Sequence, residues 1–207
     1  MTTAKFISST FLLSLLAGLA CTPASAQTDV ALSLYGAFSG STTGNNTVQS
    51  PSNSAGGLLE LRHISNPLVG YDVTYSYNRA NQSYRPFACP AGETPACTPA
   101  QAVSANAHEL SGDWVVSVHG ANLRPFALAG VGLLLNEPAG SQGSTTSSTK
   151  PVFIYGAGLD WGLASHLGLR FQYRGNLYHA PDLTTAFSST GKFTQTAEPM
   201  IGAYLSF

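Results

Sequence analysis

Apolar and polar residues alternate singly along most of the chain beyond residue 27. A period of two puts successive side chains on opposite faces of an extended strand. The stretch from Tyr71 to Asn78 is the clearest, with Tyr71, Val73, Tyr75 and Tyr77 opposing Asp72, Thr74, Ser76 and Asn78. The same pattern predicts strands over Val30–Phe38, Gly57–Ile64, His108–Val118, Pro125–Leu135, Val152–Gly162, Leu167 to Arg174, and Glu198–Phe207. No segment carries the 3.6-residue period of a helix. Eight strands of about ten residues have the length needed to cross a bilayer at a tilt.

Connections between these segments alternate in length. Short turns are expected near Asn66-Pro67, Gly120-Ala-Asn122 and Ala164-Ser-His166. Long polar stretches fill 39–56, 79–107, 136–151 and 179–196. Short turns on one rim and long loops on the other are the arrangement of outer-membrane barrels, whose loops face outside. The loops are rich in Ser, Thr, Asn, Gly and Pro, so they are expected to bury little and to be mobile. Residues 141–149 read as a featureless linker. The fold expected is all-β: an eight-stranded, antiparallel, up-and-down transmembrane barrel.

Alternation alone leaves open which face points outward. A soluble, lipocalin-like ligand-binding barrel alternates with its apolar face inward. Charge separates the two readings. Charged residues make up only 9% of the chain, against roughly 25% in soluble domains. Mean hydropathy is +0.07, too low for a helical membrane protein. Glu60, Arg62, Asp72, Glu109, Asp113, Asp160, Arg170, Arg174 and Glu198 all fall opposite the large apolar side chains. A solvated outer surface calls for more than the three Lys present. Nine such residues converging on a lumen predict an internal ion-pair network in which each buried charge finds a partner. Arg79 and Arg124 lie at strand ends, where they are expected to reach lipid headgroups. Phe38, Tyr77, Tyr84, Trp114, Phe126, Phe153, Trp161, Tyr178 and Phe207 are placed to form interfacial girdles, with ordinary strand packing as the alternative.

Residues 1–26 read as a secretory signal and 27–207 as the barrel. Lys5 precedes an apolar run from Phe6 to Ala20, and Ala24-Ser25-Ala26 is a cleavage motif before Gln27. The run is short and interrupted for a transmembrane anchor, and Gly18-Leu19-Ala20 before Cys21 is a poor lipoprotein motif. Cys89 and Cys97 then remain, and in an exported chain they are expected to form a disulfide; two thiols without a nearby His make a poor metal site.

Three segments carry a family resemblance: Arg-Pro-Phe-Ala-Leu-Ala-Gly-Val-Gly at 124–132, Tyr-Gly-Ala-Gly-Leu-Asp-Trp-Gly at 155–162, and the end of the chain with Gly202, Leu205 and Phe207. With the signal and the order of strands, they resemble the OmpA-like outer-membrane β-barrel proteins of Gram-negative bacteria. The resemblance implies the cell outer membrane, surroundings of its lipids and lipopolysaccharide, and a terminal strand read by the barrel-assembly machinery. In the protein that gives the family its name a periplasmic peptidoglycan-binding domain follows the barrel. Here the last residues are the eighth strand, so that anchoring role is not carried over.

Three activities follow. The leading one is structural or surface display, with an unknown extracellular partner for the loops. A small pore is second, although eight strands leave an interior filled by side chains. A lipid A-modifying enzyme is third, resting on His179, Asp182, Ser188 and Ser189; the His-x-Ser arrangement of deacylases is missing because Ala180 and Pro181 follow His179. No metal, phosphate or cofactor motif is present, and a net charge of −1 gives nucleic acid no electrostatic hold.

Overall fold

The computed structural model describes residues 27–66, 68–88, 99–120, 122–140 and 144–207. Its strands are β1 (Gln27–Ser39), β2 (Thr42–Gly44), β3 (Thr47–Pro51), β4 (Ser54–Ile64), β5 (Val69–Pro86), β6 (Gln101–Ser117), β7 (Leu123–Pro138), β8 (Ser148–Gly162), β9 (Leu167–His179) and β10 (Phe193–Ser206). Eight of them close a barrel. β1 pairs antiparallel with β4 and β10, the sheet runs on through β9, β8, β7 and β6, and β6 pairs with β5 beside β4. Closure leaves these strands no free edge, and the ladder groups find partners within the sheet apart from a break at Gly36 and Ala37 opposite Glu198 and Pro199. At the chain end, Thr28 and Phe207 exchange backbone hydrogen bonds of 3.3 and 2.9 Å.

The apolar face points outward. Leu32, Leu34 and Trp114 are 66, 70 and 70% exposed, while Ala31, Ser33 and Asp113 between or beside them are buried. The broad apolar face is therefore the outer one, the opposite of the lipocalin-like alternative, although Ile64, Val115, Leu128, Val152 and Ile154 also pack inside. On β5 the outward run is Val69, Tyr71, Val73, Tyr75 and Tyr77, followed by the exposed Arg79, Asn81 and Arg85. Nine residues of apolar outer face match the span of a tilted strand. Of the nine girdle aromatics, Tyr84, Phe126 and Tyr178 are instead buried inside, because their strand parity turns them into the lumen.

Short turns close one end. In the turn between β4 and β5, Asn66 Oδ1 accepts hydrogen bonds from the backbone N–H groups of Leu68 and Val69 at 3.1 and 2.9 Å, an Asx turn that fixes the register locally. The other end departs from the expected loops. β5 and β6 stay paired up to Tyr84↔Gln101, and β2 and β3 form a hairpin inside the 39–56 connection, with β3 on β5. Ser148 and Thr149 belong to β8, and Thr145 bridges Thr184, so the described part of 141–149 is not featureless. The signal segment, Cys21, Cys89 and Cys97 lie outside the described residues.

Four rings lie against glycines of the neighbouring strand, three inside the barrel and one outside. Tyr35, Phe126 and Tyr204 sit directly opposite Gly56, Gly158 and Gly168 in the ladder, and Tyr155 does the same over Gly175 on the outer face. A Cβ at Gly158 would meet Phe126 Cζ at 2.4 Å, and one at Gly168 would meet the Tyr204 ring at 2.4 Å. The missing side chain is what lets each ring lie down, the covering of strand glycines by aromatic partners.

Candidate functional site

The flattened rings set the floor on which the lumen charges rest. The guanidinium carbon of Arg62 stands 4.0 Å from the Phe126 ring centroid, and that of Arg170 stands 5.3 Å from Tyr204. A cation over an aromatic face is favourable, and more so away from water. Each arginine thus has a ring on one side and carboxylates at its rim.

Asp160 is the hub of the lower tier. It accepts from Arg170 Nε at 2.7 Å and Nη2 at 2.9 Å, from Arg124 Nη2 at 2.7 Å, and lies 3.7 Å from Arg62 Nη1. Arg62 also reaches Glu60 at 2.9 Å and Asp72 at 3.2 Å, and Arg170 also pairs with Glu60. Arg124 bonds to Asp29 as well. The upper tier has one cation. Arg174 Nη2 lies 3.0 Å from Glu109 and 3.9 Å from Asp113, and donates to Ser111 Oγ at 3.3 Å. Multiple short charge-assisted bonds of this kind offset the cost of burying ions.

All nine charged residues expected in the lumen are buried there, and eight of them make salt bridges. Glu198 is the exception: it makes no salt bridge among the described residues, contrary to the expectation that every buried charge is paired. Two further members were missed. Asp29 precedes the predicted start of the first strand, and its parity within β1 was the available signal. Arg124 does not reach headgroups; it is buried and tied to Asp29 and Asp160, because it faces inward on β7 opposite Asp160. Four buried arginines therefore face seven buried carboxylates, Asp29 included.

Two cavities flank this network. One of about 380 Å³ opens at the turn end, lined by Gln27, His119, Asn122, Arg124 and Tyr204 among others. The other, about 30 Å³, lies on the loop side above Arg174. A cap covers the loop end. Tyr84 donates its hydroxyl hydrogen to Pro181 O at 2.9 Å and accepts from the backbone N–H of Leu183 at 3.2 Å. Gln49 Nε2 adds a bond to Pro181 O at 3.0 Å, and Lys150 Nζ holds Asp182 at 2.9 Å. Tyr84, Val103, Ala105 and the wholly buried Leu183 form an apolar cluster beneath. The loops thus bury apolar surface, which their composition did not lead one to expect. Burial pushes the Tyr84 phenol above its ordinary pKa.

The residues weighed for catalysis are not assembled. His179 packs on the Phe193 ring, with centroids 3.9 Å apart, while Asp182 is engaged by Lys150. Ser189 is exposed and its Oγ accepts from the backbone N–H of Gly191. Among the described residues no three His, Cys, Asp or Glu side chains gather around a metal-sized point.

No protein-family model and no curated protein matches the sequence. Solved structures match along nearly the whole fold. The outer-membrane protein OprG of Pseudomonas aeruginosa is 10% identical, with a TM-score of 0.57 over 89% of this chain and 97% of that one. Neisserial surface protein A is 12% identical, with a TM-score of 0.52 over 90% and 100%. Ail, the attachment invasion locus protein of Yersinia pestis, solved in complex with the heparin analogue sucrose octasulfate, is 14% identical, with a TM-score of 0.51 over 88% and 99%. The chain has the fold of these proteins: a closed, eight-stranded, antiparallel barrel of the outer-membrane type.

Proposed function

We propose that the protein is exported by a signal over 1–26, cleaved between Ala26 and Gln27, and inserted in the outer membrane. Its work there is structural or is contact with the surroundings through its cap. The observation that carries this reading is a lumen filled by ion pairs beneath a mouth closed by ordered polar loops. A filled lumen leaves no open path for solutes, and His179, Asp182 and Ser189 are each engaged by other partners. What remains available to a partner is the cap, with Arg79, Arg85 and Ser189 exposed on its flanks. The outward apolar belt suits outer-membrane lipids and lipopolysaccharide. In this reading Gly202, Leu205 and Phe207 form the strand that the barrel-assembly machinery recognises. A Cys89–Cys97 disulfide staples the connection between β5 and β6. Membership of the OmpA-like family rests on the motifs at 124–132, 155–162 and the terminal strand.

Site-specific labelling tests the orientation on which the cap's role depends. Ser189 is exposed in the cap and Ser165 in a turn at the opposite end. With a membrane-impermeant maleimide on intact cells, Ser189→Cys is expected to label above the wild-type background. Ser165→Cys is expected to label only after the outer membrane is permeabilised. Equal labelling of both in intact cells, or labelling of Ser165→Cys alone, rejects a surface-facing cap.

A further inference from the structure

The upper tier of the lumen holds more negative charge than its one arginine answers. Arg62, Arg124 and Arg170 are engaged around Asp160 with Asp29, Glu60 and Asp72. Arg174 alone faces Glu109 and Asp113, and Glu198 lies in the same tier without a salt bridge. With Glu109, Asp113 and Glu198 all ionised, that tier carries two more negative charges than positive ones. An isolated carboxylate held away from water is costly, so something must offset it.

A second observation points to what does. Asn176, 2% exposed, donates Nδ2 to Glu109 Oε2 at 2.9 Å. Its Oδ1 has no partner, and neither does Glu198 Oε2. Asn176, Glu109 and Glu198 line the same 30 Å³ chamber together with Ser76 and Thr196. One water-sized occupant needs roughly 10–15 Å³, so the chamber takes about two. The oxygens that line it are two carboxylates, amide carbonyls and hydroxyls, beside the unpartnered Nδ2 of Asn136. Such a set selects a hard cation, and a deficit of two charges selects a divalent one. Calcium accepts carboxylates, amide carbonyls and a water in flexible geometry, whereas magnesium keeps several waters in a strict octahedron. The chamber has no room for those waters.

We propose that Glu109, Glu198 and Asn176 form a calcium site in the upper lumen, beneath the cap. The ion neutralises the tier, fastens β10 to β6 and β9 across the lumen, and makes the stability of the barrel's loop end depend on calcium. The rival way to remove the charge is a proton on Glu198, which needs no metal.

Thermal unfolding of the refolded barrel in detergent micelles, with calcium chloride or with EDTA, separates these. Calcium at a hundredfold excess over its dissociation constant is expected to raise the wild-type midpoint by roughly 5–10 °C. Glu198→Gln keeps the side-chain shape and the Arg174–Glu109 pair. It is expected to fold, to match or exceed the wild type in EDTA, and to show no calcium shift. A wild-type midpoint unaffected by calcium overturns the proposal in favour of the proton. An equal shift in wild type and Glu198→Gln overturns it in favour of calcium bound elsewhere. Should Glu198→Gln fail to fold, terbium luminescence excited through tyrosine reads the wild type directly, because Tyr178 lines the chamber. Sensitised emission that calcium displaces, and that Tyr35→Phe combined with Tyr178→Phe abolishes, supports the site. No emission, or emission retained in that double variant, overturns it.

Discussion

Single side chains in this barrel divide sharply into those whose loss strands a neighbour and those whose loss touches nothing. Arg170 is wholly buried and bonds to Asp160 and Glu60, with Asp29 at 3.5 Å. Arg170→Leu removes the cation and leaves those carboxylates facing one another. Breaking a buried pair costs about 3–5 kcal/mol, and urea unfolding of the folded barrel is expected to show a loss of that size. Unchanged urea stability means that the tier redistributes its charge freely. Glycines divide in the same way. Gly158→Ala drives a methyl group into Phe126 and within 2.6 Å of Phe171 O, an overpacking expected to cost about 1–3 kcal/mol. It also tilts the ring on which Arg62 rests. Gly112→Ala meets nothing within 4 Å, so the same measurement is expected to find it neutral or slightly stabilising, since a strand glycine carries an entropic penalty.

Strands and loops obey the same physics, but only part of it is written as hydrophobic alternation. Where lipid lies outside and the lumen inside, the pattern of large apolar against small polar residues marked all eight barrel strands, with spans that stop up to eight residues short of the observed ends. Beyond the bilayer both faces meet polar surroundings, so the alternation loses its contrast although the ladder continues. That is why β5 reads as ending at Asn78 and runs to Pro86, and why the β2–β3 hairpin was invisible. The parity of Tyr84 and Val103 held the missing signal: both keep the inward register of their strands. The lumen site was legible for the same reason as the strands, because a charge at an inward position has few places to go. What could not be read was pairing across the barrel, such as Arg124 with Asp29 or the lack of a salt bridge at Glu198. Those contacts depend on closure and not on spacing along the chain. The cap yields its own test. Tyr84→Phe removes a donor to Pro181 O and an acceptor for Leu183 N–H, at about 1–3 kcal/mol for buried groups left unpaired. Cleavage of the 184–189 loop by a nonspecific protease is expected to quicken about tenfold. Raising the pH has the same direction. The buried phenol keeps its proton to higher pH than the ordinary value of 10.0. Its contribution is therefore full below pH 10 and falls as pH rises above it. Equal cleavage in wild type and variant means the loop is held by its other bonds.

At the scale of the whole molecule, the question is whether a barrel with a polar lumen conducts. Eight strands enclose a space that side chains just fill. Here it is filled by arginines stacked on rings and bound to carboxylates, a layer that separates the 380 Å³ cavity at the turn end from the chamber under the cap. An ion crossing it must break several charge-assisted bonds at once, because Asp160 is shared by three arginines. Loosening one pair leaves the other two in place, so thermal fluctuation of a single side chain opens no path. The protein folded into planar bilayers is expected to pass no steady current above that of the bare membrane. Arg124→Ser combined with Arg170→Ser removes two of the three cations from the hub while Asp29, Glu60 and Asp160 stay. In barrels that still show a heat-dependent shift on gels, that pair of changes is expected to yield small, cation-favouring steps. Large steps from the wild type reject the sealed lumen and move the pore reading to the front. Anion-favouring steps from the double variant mean that the acidic excess does not set the lumen's potential.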